Sequence, residues 1–460
     1  MPTLPLLRPG GPHVSLDTRA LLDYSGAPLA AVSQTPPLLA SRSLYELREG
    51  AGEPPGALWP LLRAAGERVA SGAVGGETVV QYVERVVRAT GAPRRWVAAA
   101  LAELAAGLIG LDAALARQAP GGDVEAINSG HAGGYAWVPR GRVLAVLAPS
   151  NHAATHFTWA LALALGWRVA VRPGARDPFT PWRLATALLE VGLPPGRLAL
   201  LPGDHALVPL LVAGADRTVL YGGDALAAEY AGRADVLVNG PGRSRVYVDL
   251  ANAPPLAPLA DFLAECILHD GGRKCTATSA LVLRGDAEPL LTAVAERLAA
   301  VPLLDPLDRA ALVPAWPEPE AALVAAEALA AATDLTAKRR DGPRLRRLGG
   351  ATLLAPTLLR CERDSALFAC EWPGPVCTAL VLDPTDDPLP WLRGALSLTL
   401  VGAPPALQAA CLREPSILKV FSGMVPTWHS EPGAPHNGRL SDFLFTAKAC
   451  KEAVWTDTPW

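Results

Sequence analysis

One cysteine in a glycine-rich, basic stretch is the clearest reactive group in the chain. Cys275 stands in HDGGRKCTATSALVL, directly before an apolar run. A thiolate attacks carbonyl carbons and later leaves again, so one difficult reaction step becomes two easier ones. The neighbouring Arg273 and Lys274 would lower the pKa of the thiol if their side chains turn toward it. The stretch indicates a nucleophile, although a lone cysteine is commonly a buried apolar residue.

A polar residue in the stretch LAVLAPSNHAATHF is a second candidate. Asn151 follows an apolar run, where a strand would end and a helix begin. An amide at the carboxyl end of a parallel strand can donate to a developing oxyanion without adding a charge. Asparagine also caps helices. Both interpretations stay open for Asn151, and the roles of His152 and His156 are equally open.

Short apolar runs supply the elements that would hold these residues. The runs do not alternate polar and apolar residues, which is typical of strands covered on both faces. The first series is VLAVLA (143–148), RVAVR (168–172), LALLP (198–202), RTVLY (217–221) and DVLV (235–238). The second series is ALVL (280–283), VCTALVL (376–382), LSLTLV (396–401) and LKVF (418–421). Helical stretches between them predict βαβ units, and therefore an α/β fold with two successive layers built on parallel sheets.

The first third of the chain has a different composition and a different spacing of apolar residues. Residues 1–45 are rich in Pro and turn formers, which predicts a segment that covers a surface rather than a domain. Farther on, leucines recur at steps of three and four, which predicts a helix that buries one face. These leucines are Leu101, Leu104, Leu108, Leu111 and Leu115.

Composition and charge exclude several functional classes. The 460 residues carry a net charge of −3, so no basic face is expected for nucleic acid or an anionic membrane. The longest apolar run, 157–167, is about half as long as a membrane span requires. The seven cysteines form no CxxC pair, which argues against a disulfide framework and a metal site. We expect a cytoplasmic protein without a bound metal.

The stretch RVAVRPGARDPFTPWRLATALLEVGLPPGRLALLPGD resembles the cofactor-binding segment of aldehyde dehydrogenases. Its GLPPG turn and Pro202-Gly203 match that family's turn and following Pro-Gly. Pro149-Ser150-Asn151 resembles the family's Pro-Trp-Asn, and the loop before Cys275 resembles Gly-Gln-x-Cys. The stretch EWPGPV (371–376) resembles Glu-x-Phe-Gly-Pro-Val, with Pro373 in place of Phe. Four such clusters in the family's order are more specific than any one of them.

The resemblance implies an aldehyde dehydrogenase-like architecture. A Rossmann-type cofactor domain would lie within residues 1–245 and a second α/β catalytic domain within 246–425. A small oligomerisation element would comprise a hairpin at 134–142 and a tail at 426–460, chiefly near Ala447 to Trp455. The family pairs its subunits through such elements, so a homodimer or homotetramer is expected.

The resemblance also assigns roles to individual residues. Cys275 would be the nucleophile, Asn151 part of the oxyanion hole, and Glu371 the carboxylate that accepts hydrogen bonds from the nicotinamide ribose. Gly222 and Gly223 would open a helix whose backbone N–H groups face the pyrophosphate. The other implied cofactor contacts are Ala148, Pro149, Ser150, Arg172, Pro173, Gly174, Ala175 and Gly203.

The residue three positions after Arg172 bears on the choice of cofactor. Relatives that prefer NAD commonly have a glutamate there, which accepts a 2′-hydroxyl and repels a 2′-phosphate; this chain has Ala175. Arg172 and Arg176 offer guanidinium donors that match phosphate oxygens. We therefore expect NADP(H) to be preferred over NAD(H).

The stretch before the nucleophile loop departs from the family's pattern. Members that hydrolyse the acyl-enzyme carry Glu-Leu-Gly-Gly-Lys, where the glutamate is the general base; the matching position here is Asn239. An amide has no useful basicity near neutral pH. Branches that exchange or reduce acyl thioesters likewise lack this glutamate. Glu265 or Glu229 could alternatively replace the base.

Three functions follow from these residues. The leading hypothesis is an NAD(P)H-dependent reductase that converts an acyl thioester, held on coenzyme A or a carrier protein, to an aldehyde through an acyl-Cys275 intermediate. The runner-up is an NAD(P)-dependent aldehyde dehydrogenase that makes a carboxylate. The third is a cofactor-binding pseudoenzyme, suggested by the substitutions at Gly223, Pro373 and Asn239.

Overall fold

The computed structural model describes residues 2–50, 53–132 and 134–449. The helices are α1 (Pro37–Glu49), α2 (Trp59–Ser71), α3 (Val79–Thr90), α4 (Arg94–Ile109), α5 (Leu111–Gln118), α6 (Glu125–Ser129), α7 (Phe157–Ala164), α8 (Phe179–Glu190), α9 (Leu207–Gly214), α10 (Asp224–Glu229), α11 (Leu256–Leu268), α12 (Glu288–Ala299), α13 (Pro319–Ala328), α14 (Leu389–Leu392), α15 (Pro405–Arg413) and α16 (Leu440–Leu444).

Most strands are short. They are β1 (Thr3–Leu4), β2 (Leu6–Arg8), β3 (Gly11–His13), β4 (Thr18–Leu22), β5 (Pro28–Ser33), β6 (His131–Ala132), β7 (Tyr135–Pro139), β8 (Val143–Leu147), β9 (Arg168–Arg172), β10 (Leu198–Leu200), β11 (Arg217–Tyr221), β12 (Val236–Asn239), β13 (Ser244–Asp249), β14 (Thr278–Arg284), β15 (Thr333–Asp334), β16 (Leu345–Leu348), β17 (Ala351–Leu354), β18 (Thr357–Arg360), β19 (Val376–Leu382), β20 (Leu398–Val401), β21 (Val420–Ser422) and β22 (Phe445–Ala449).

The first large sheet has the order β12-β11-β8-β9-β10-β2-β3. Strands β8 to β12 run parallel, and β2 joins β10 in the antiparallel sense. Every residue of β8 and β9 is buried, because helices cover both faces of these strands. The first series of apolar runs thus forms the predicted parallel strands, with an antiparallel edge that was not predicted.

The second large sheet has the order β15-β18-β19-β14-β13-β20-β21, and only β15 is antiparallel to its neighbour. The second series of apolar runs supplies β14, β19, β20 and β21, and the α/β fold class is confirmed. Strand β13 was not predicted, because Arg245 and Asp249 interrupt its apolar residues. Both side chains are nevertheless buried: Arg245 donates to the carbonyl of Trp391 at 2.8 Å, and Asp249 pairs with Arg284 at 3.2 Å.

Two local expectations were wrong. The Pro-rich N-terminal region contains β1 to β5, and β2 and β3 extend the first sheet. Local composition did not reveal these strands because their pairing partners are distant in sequence. The leucine stripe is not one helix but two, α4 and α5, bent by 68°. The break falls at Gly110, and all five leucines are buried on the two helices.

Among the described residues, no single helix is long and apolar enough to cross a bilayer. The bent pair α4–α5 meets that length and composition only when both helices are counted together.

A small sheet joins two distant segments in the order β22-β7-β6. Strand β7 lies within the segment predicted as an oligomerisation hairpin, and β22 belongs to the tail. The two pair antiparallel, and the rings of Trp137 and Phe445 stack with centroids 3.8 Å apart. Positions 450–455 of the predicted tail segment lie outside the described residues.

Loops at the strand ends of the two large sheets meet, where Asn151 donates to the carbonyl of Arg273. Asn151 and Gly222 follow the carboxyl ends of β8 and β11, which are neighbours in the first sheet. Cys275 and Lys419 precede β14 and β21, at the amino edge of the second sheet. Because the chain crosses over on opposite sides of β8, the crevice beside β8 and β11 is the place where α/β sheets bind ligands.

Candidate functional site

A cavity of about 200 Å³ lies between these two sheet edges. Apolar side chains form part of its wall, notably Phe157, Leu161 and Leu237. Its polar lining includes Asn151, Tyr221, Asn239, Cys275 and His436. A small apolar pocket with a few converging polar groups is the usual form of a ligand site.

Contacts to the backbone carbonyl of Cys275 hold this residue at the cavity wall. Ser244 Oγ donates to the carbonyl oxygen of Cys275 at 2.9 Å. A Cβ on Gly242 would lie 1.8 Å from that same oxygen, so only glycine fits at this close approach. The thiol is partly exposed. Burial and the nearby Glu371 carboxylate raise the pKa of the Cys275 thiol to about 11, whereas Lys274 and Lys419 lower it.

A histidine from the C-terminal region approaches the sulfur. His436 Nε2 lies 3.9 Å from Sγ of Cys275, and Nδ1 of the same ring lies 3.2 Å from Nζ of Lys419. Burial, followed by the charges of Lys419 and Lys274, lowers the pKa of His436 to about 3. The imidazole is therefore neutral near pH 7, with one nitrogen able to accept a proton.

The two basic residues beside Cys275 point in different directions. Lys274 forms an ion pair with Glu103 at 2.9 Å and still lowers the pKa of the thiol. Arg273 donates to the carbonyl of Thr90 at 3.1 Å, inside the fold. The expectation that Arg273 assists the thiol was thus wrong, because its guanidinium is committed to a backbone carbonyl.

The amide of Asn151 bridges the two sheet edges. Nδ2 donates to the carbonyl of Arg273 at 3.0 Å. Oδ1 is buried and has no hydrogen-bond partner among the described residues. An unpartnered buried amide atom is costly and marks a position where a ligand group can bind. Asn151 does not cap the helix that follows.

His152 and His156, which follow Asn151, each accept a hydrogen bond from a nearby N–H group. His152 Nδ1 accepts from the N–H of Ala154 at 3.2 Å, and His156 Nδ1 accepts from Trp159 Nε1 at 3.0 Å. Burial lowers the pKa of His156 to about 3 and that of His152 well below its usual value. Both rings stay neutral, and His156 is fully enclosed.

The structure separates the candidates for the general base. Asn239 lines the cavity, at the end of β12. Glu229 and Glu265 are exposed, on α10 and α11, and neither belongs to the cavity wall formed by the described residues. The suggestion that one of these glutamates replaces the base was wrong, because both side chains face solvent away from Cys275.

Glu371 is placed between the cysteine and the glycine loop. Its Oε2 accepts a hydrogen bond from the backbone N–H of Gly242. Burial raises the pKa of this carboxyl group, while the N–H groups of Gly242 and Arg243 lower it. The carboxylate thus lies near the thiol whose pKa it raises.

Three arginines converge at the position of Ala175. Arg19, on the N-terminal strand β4, donates to the carbonyl of Ala175 at 2.9 Å. Arg172 donates to the carbonyl of Asp204 at 3.1 Å, and Arg176 pairs with Glu318 at 3.1 Å. Burial and the charge of Arg19 lower the pKa of Arg172, and burial and Arg176 lower that of Arg19.

The other residues of the predicted cofactor segment form a tight loop. Ser150 Oγ accepts from the N–H groups of Arg176 and Asp177 at 3.0 and 3.2 Å. A Cβ on Gly174 would meet Ser150 Oγ at 2.2 Å, so this contact requires glycine. Ala148 donates to the carbonyl of Arg172 at 2.9 Å. The other predicted contacts follow the ends of neighbouring strands: Pro149 after β8, Pro173 after β9 and Gly203 after β10.

The glycine pair lies where the helix was expected. Gly223 is the residue before α10, and a Cβ there would meet no atom within 4 Å, so this approach is open. Gly222 donates to the carbonyl of Asn239 at 3.2 Å. Asp224, in the first turn, pairs with Arg243 at 2.5 Å.

Sequence reasoning missed three side chains of this region. Lys419 stands inside the predicted strand LKVF, and a lysine at the start of a buried strand was a usable signal. Arg19 lies in the N-terminal region that was expected to cover a surface rather than form a domain. His436 lies in the turn-rich stretch PGAPHNG, where nothing local distinguishes it from a surface histidine.

Metal ligation has no support among the described residues, where no group of three or more His, Cys, Asp or Glu side chains could hold an ion. Their six cysteines are free thiols.

Two solved structures share this fold. Indole-3-acetaldehyde dehydrogenase from P. syringae, in complex with NAD+ and IAA, superposes with a TM-score of 0.79 at 19% identity and covers 96% of this chain and 95% of its own. The aldehyde dehydrogenase KauB from Pseudomonas aeruginosa gives a TM-score of 0.77 at 19% identity, with 97% and 96% covered.

Curated relatives match over a shorter stretch. Betaine aldehyde dehydrogenase 1 of Rhizobium meliloti is 32% identical over 161 residues, which are 32% of each chain. Geranial dehydrogenase of Castellaniella defragrans is 30% identical over 164 residues, which are 34% of each chain. The matched stretch therefore spans about a third of the length of these relatives.

A family model decides the assignment. The model described as the aldehyde dehydrogenase family matches residues 80–391, which is more than half of the chain and includes Asn151, Cys275 and Glu371. The chain belongs to the aldehyde dehydrogenase family.

Proposed function

We propose that the chain is an NAD(P)-dependent aldehyde dehydrogenase that oxidises an aldehyde to a carboxylate through an intermediate on Cys275. The observation that carries the proposal is the placement of the Cys275 thiol and the Asn151 amide on one cavity, in a chain of this family. Relatives and structural neighbours are named for betaine aldehyde, geranial and indole-3-acetaldehyde, which supports oxidation as the direction.

In this proposal each polar side chain has one task. The Cys275 thiolate adds to the aldehyde carbon, and the second N–H of the Asn151 amide, whose first N–H donates to Arg273, would stabilise the resulting oxyanion. A bound nicotinamide would supply the hydride acceptor. The apolar wall of Phe157, Leu161 and Leu237 would hold the substituent of the aldehyde.

The residues at the edge of the first sheet fit a dinucleotide. The open approach at Gly223 leaves room for backbone contacts to a pyrophosphate, and Glu371 would bind the ribose beside the nicotinamide. Arg19, Arg172 and Arg176 support a preference for NADP(H), because they bring positive charge beside Ala175, where a glutamate would repel a 2′-phosphate. Glu318 offsets part of this charge by pairing with Arg176.

One observation favours a second candidate, the reduction of an acyl thioester to an aldehyde. Asn239 lines the cavity, and the sequence resemblance matches this position to the general base of hydrolytic relatives. Loss of a positioned base lowers a rate by about 10² to 10⁴. An acyl group on Cys275 would then persist long enough to be exchanged with coenzyme A or a carrier-protein thiol, or to be reduced.

Parallel assays distinguish the candidates. The purified chain is incubated with aliphatic and aromatic aldehydes plus NADP+ or NAD+, and in separate reactions with acyl-coenzyme A plus NADPH; the absorbance of the reduced cofactor is followed and products are identified by mass spectrometry. Carboxylate from aldehyde supports the main proposal. Aldehyde from acyl-coenzyme A alone supports the second. Cofactor binding without either reaction would contradict both and support a pseudoenzyme.

A further inference from the structure

The segment that carries His436 is fixed to the site from three sides. Asn437 Nδ2 donates to the carbonyl of Val238 at 2.8 Å, on the strand that ends at Asn239. On the other side, the buried amide of Gln118 donates to the carbonyl of Gly433 at 2.8 Å and accepts from the N–H of Ser441 at 2.8 Å. Gly433 itself packs so closely that a Cβ would lie 2.5 Å from Cα of Ala114. Residues on both sides of His436 in the sequence thus make hydrogen bonds that hold its imidazole beside the thiol.

We propose that His436, oriented by Lys419, accepts the proton of the Cys275 thiol and replaces the base that is missing at Asn239. The proposal rests on the proposed function for the identity of the nucleophile. It follows from the contacts of one ring: 3.9 Å from Nε2 to Sγ of Cys275, and 3.2 Å from Nδ1 to Nζ of Lys419. A nucleophile, a base and a group that orients the base are the three parts of an activated thiol.

The proton transfer balances within the three side chains. In the reactive state, which forms when Lys419 has released one proton to solvent, the thiol donates to Nε2, and Nδ1–H donates to the amine of Lys419. One proton then moves from Sγ to Nε2 while another moves from Nδ1 to Nζ. The products are a thiolate, an imidazole in its other tautomer and an ammonium group, and no proton enters or leaves. Burial lowers the pKa of Lys419, which favours release of that proton, whereas the charge of Cys275 raises this pKa.

The same imidazole can discharge the intermediate. After Cys275 is acylated, Nε2 lies beside the thioester carbon. Nε2–H first releases its proton to solvent while Lys419 returns a proton to Nδ1, which frees Nε2. Nε2 can then accept a proton from an attacking water while the water oxygen bonds to that carbon and the C–S bond breaks, which gives a carboxylic acid and the thiolate. Asn239 then no longer argues against hydrolysis, because the base comes from the C-terminal region instead of β12.

Other charged groups face this pair. Lys274 and Glu103 lie on the side of α4, and Glu371 precedes β19; each influences the pKa of Cys275, His436 or Lys419. Glu103 is engaged by Lys274. Among the described residues no carboxylate lies within hydrogen-bonding distance of Sγ, so His436 is the titratable group closest to the reaction.

The test measures thiol reactivity directly, so it does not depend on the substrate. Cys275 is alkylated with iodoacetamide in the full chain at pH 7, and mass spectrometry follows the peptide that contains it. The chain, its His436→Ala variant and a matched control, His429→Ala, are compared. His429 lies in the same segment, half exposed, away from the cavity wall.

We expect His436→Ala to slow alkylation by about tenfold or more, equivalent to a rise of at least one unit in the pKa of the thiol. Added imidazole should restore part of the rate, and His429→Ala should match the unsubstituted chain. An unchanged rate in His436→Ala would overturn the proposal. A slowed rate that imidazole does not raise would also overturn it, since a merely structural role predicts that result.

A measurement without the histidine variant keeps the proposal testable if His436→Ala does not fold. The difference in ultraviolet thiolate absorbance between the unsubstituted chain and Cys275→Ser is titrated. The proposal predicts that the thiol ionises well below the burial-raised pKa of about 11, whereas ionisation only near that value contradicts it. If alkylation of Cys275 depends on His436 but the chain oxidises no aldehyde, the proposed function is refuted and this inference still holds.

Discussion

The side-chain amide of Asn151 donates to the carbonyl of Arg273 at 3.0 Å, and so ties the loop after β8 to the loop that carries Cys275. This bond sets the amide beside the thiol. Replacing Asn151 with Ala removes an oxyanion donor and should lower turnover by about 10² to 10³. Steady-state kinetics on an aldehyde would show it, with Asn252→Ala, an exposed amide, as the control. A turnover that stays within about threefold of the unsubstituted chain would contradict the assignment.

Cys275→Ala should abolish aldehyde turnover while cofactor binding persists, because the thiol forms the covalent intermediate and the dinucleotide contacts lie elsewhere. Activity assays and fluorescence titration with NADPH measure the two properties separately. Cys370→Ala, at another partly exposed cysteine, should retain activity. Residual turnover in Cys275→Ala would remove the basis of the proposed mechanism.

Arg19→Gln should weaken the binding of NADPH by about tenfold or more, since a charge-assisted hydrogen bond contributes about 1.5 to 3 kcal/mol. Binding of NADH, which has no 2′-phosphate, should change little. Fluorescence titration of both cofactors gives the ratio. Arg42→Gln, on the exposed face of α1, is the matched control. Equal losses for both cofactors would show that Arg19 does not read the phosphate.

Gln118→Ala should displace the segment of His436, because the buried amide makes two hydrogen bonds to it, at Gly433 and Ser441. Each lost bond costs about 1 kcal/mol of stability. We expect a lower melting temperature together with slower alkylation of Cys275, whereas Gln408→Ala, an amide far from the cavity, should change only stability. If Cys275 in the Gln118→Ala chain is alkylated at the normal rate, the two hydrogen bonds of Gln118 do not position His436.

The buried carboxyl group of Asp270 should make stability depend on pH. Burial raises the pKa of Asp270 to about 7, so the native chain keeps a proton that the unfolded chain releases near pH 4. Stability from this group is full below about pH 4 and decreases as the pH rises toward 7. Asp270→Asn, which tolerates the local φ of 52°, should flatten this slope by up to about 4 kcal/mol.

Denaturant unfolding at several pH values measures the slope. Asp364→Asn, at an exposed carboxyl, should leave it unchanged. If Asp270→Asn and the unsubstituted chain lose stability in parallel from pH 4 to 7, the proton is not held by Asp270.

A homodimer, or a multiple of it, is expected from the small sheet. Strand β22 pairs with β7 on one side only, within the described part of the chain, and an open strand edge is a template for a second subunit. Light scattering at micromolar concentration measures the mass. A monomer under those conditions would contradict the expectation.

The sequence by itself determined most of the parallel strands of the two large sheets and the local loops. Buried parallel strands have continuous apolar runs, so β8, β9 and β11 were readable without a partner. The motifs around Asn151, Cys275 and Glu371 are likewise local, since each lies within a few residues of a strand end. The family followed from the order of those motifs, which needs no coordinates.

Only the tertiary structure decided which side chains share the cavity. His436 and Cys275 are 161 residues apart, and their contact depends on a segment that hydrogen bonds hold against α5 and β12. Arg19 reaches Ala175 across 156 positions, from strands whose pairing no local pattern announces. A sequence motif reports on residues that are close together in the chain. A base from a distant loop reaches the thiol only through tertiary packing, so no motif reveals it. For that reason Asn239 pointed away from hydrolysis in the sequence, and the fold brought a different proton acceptor to the thiol.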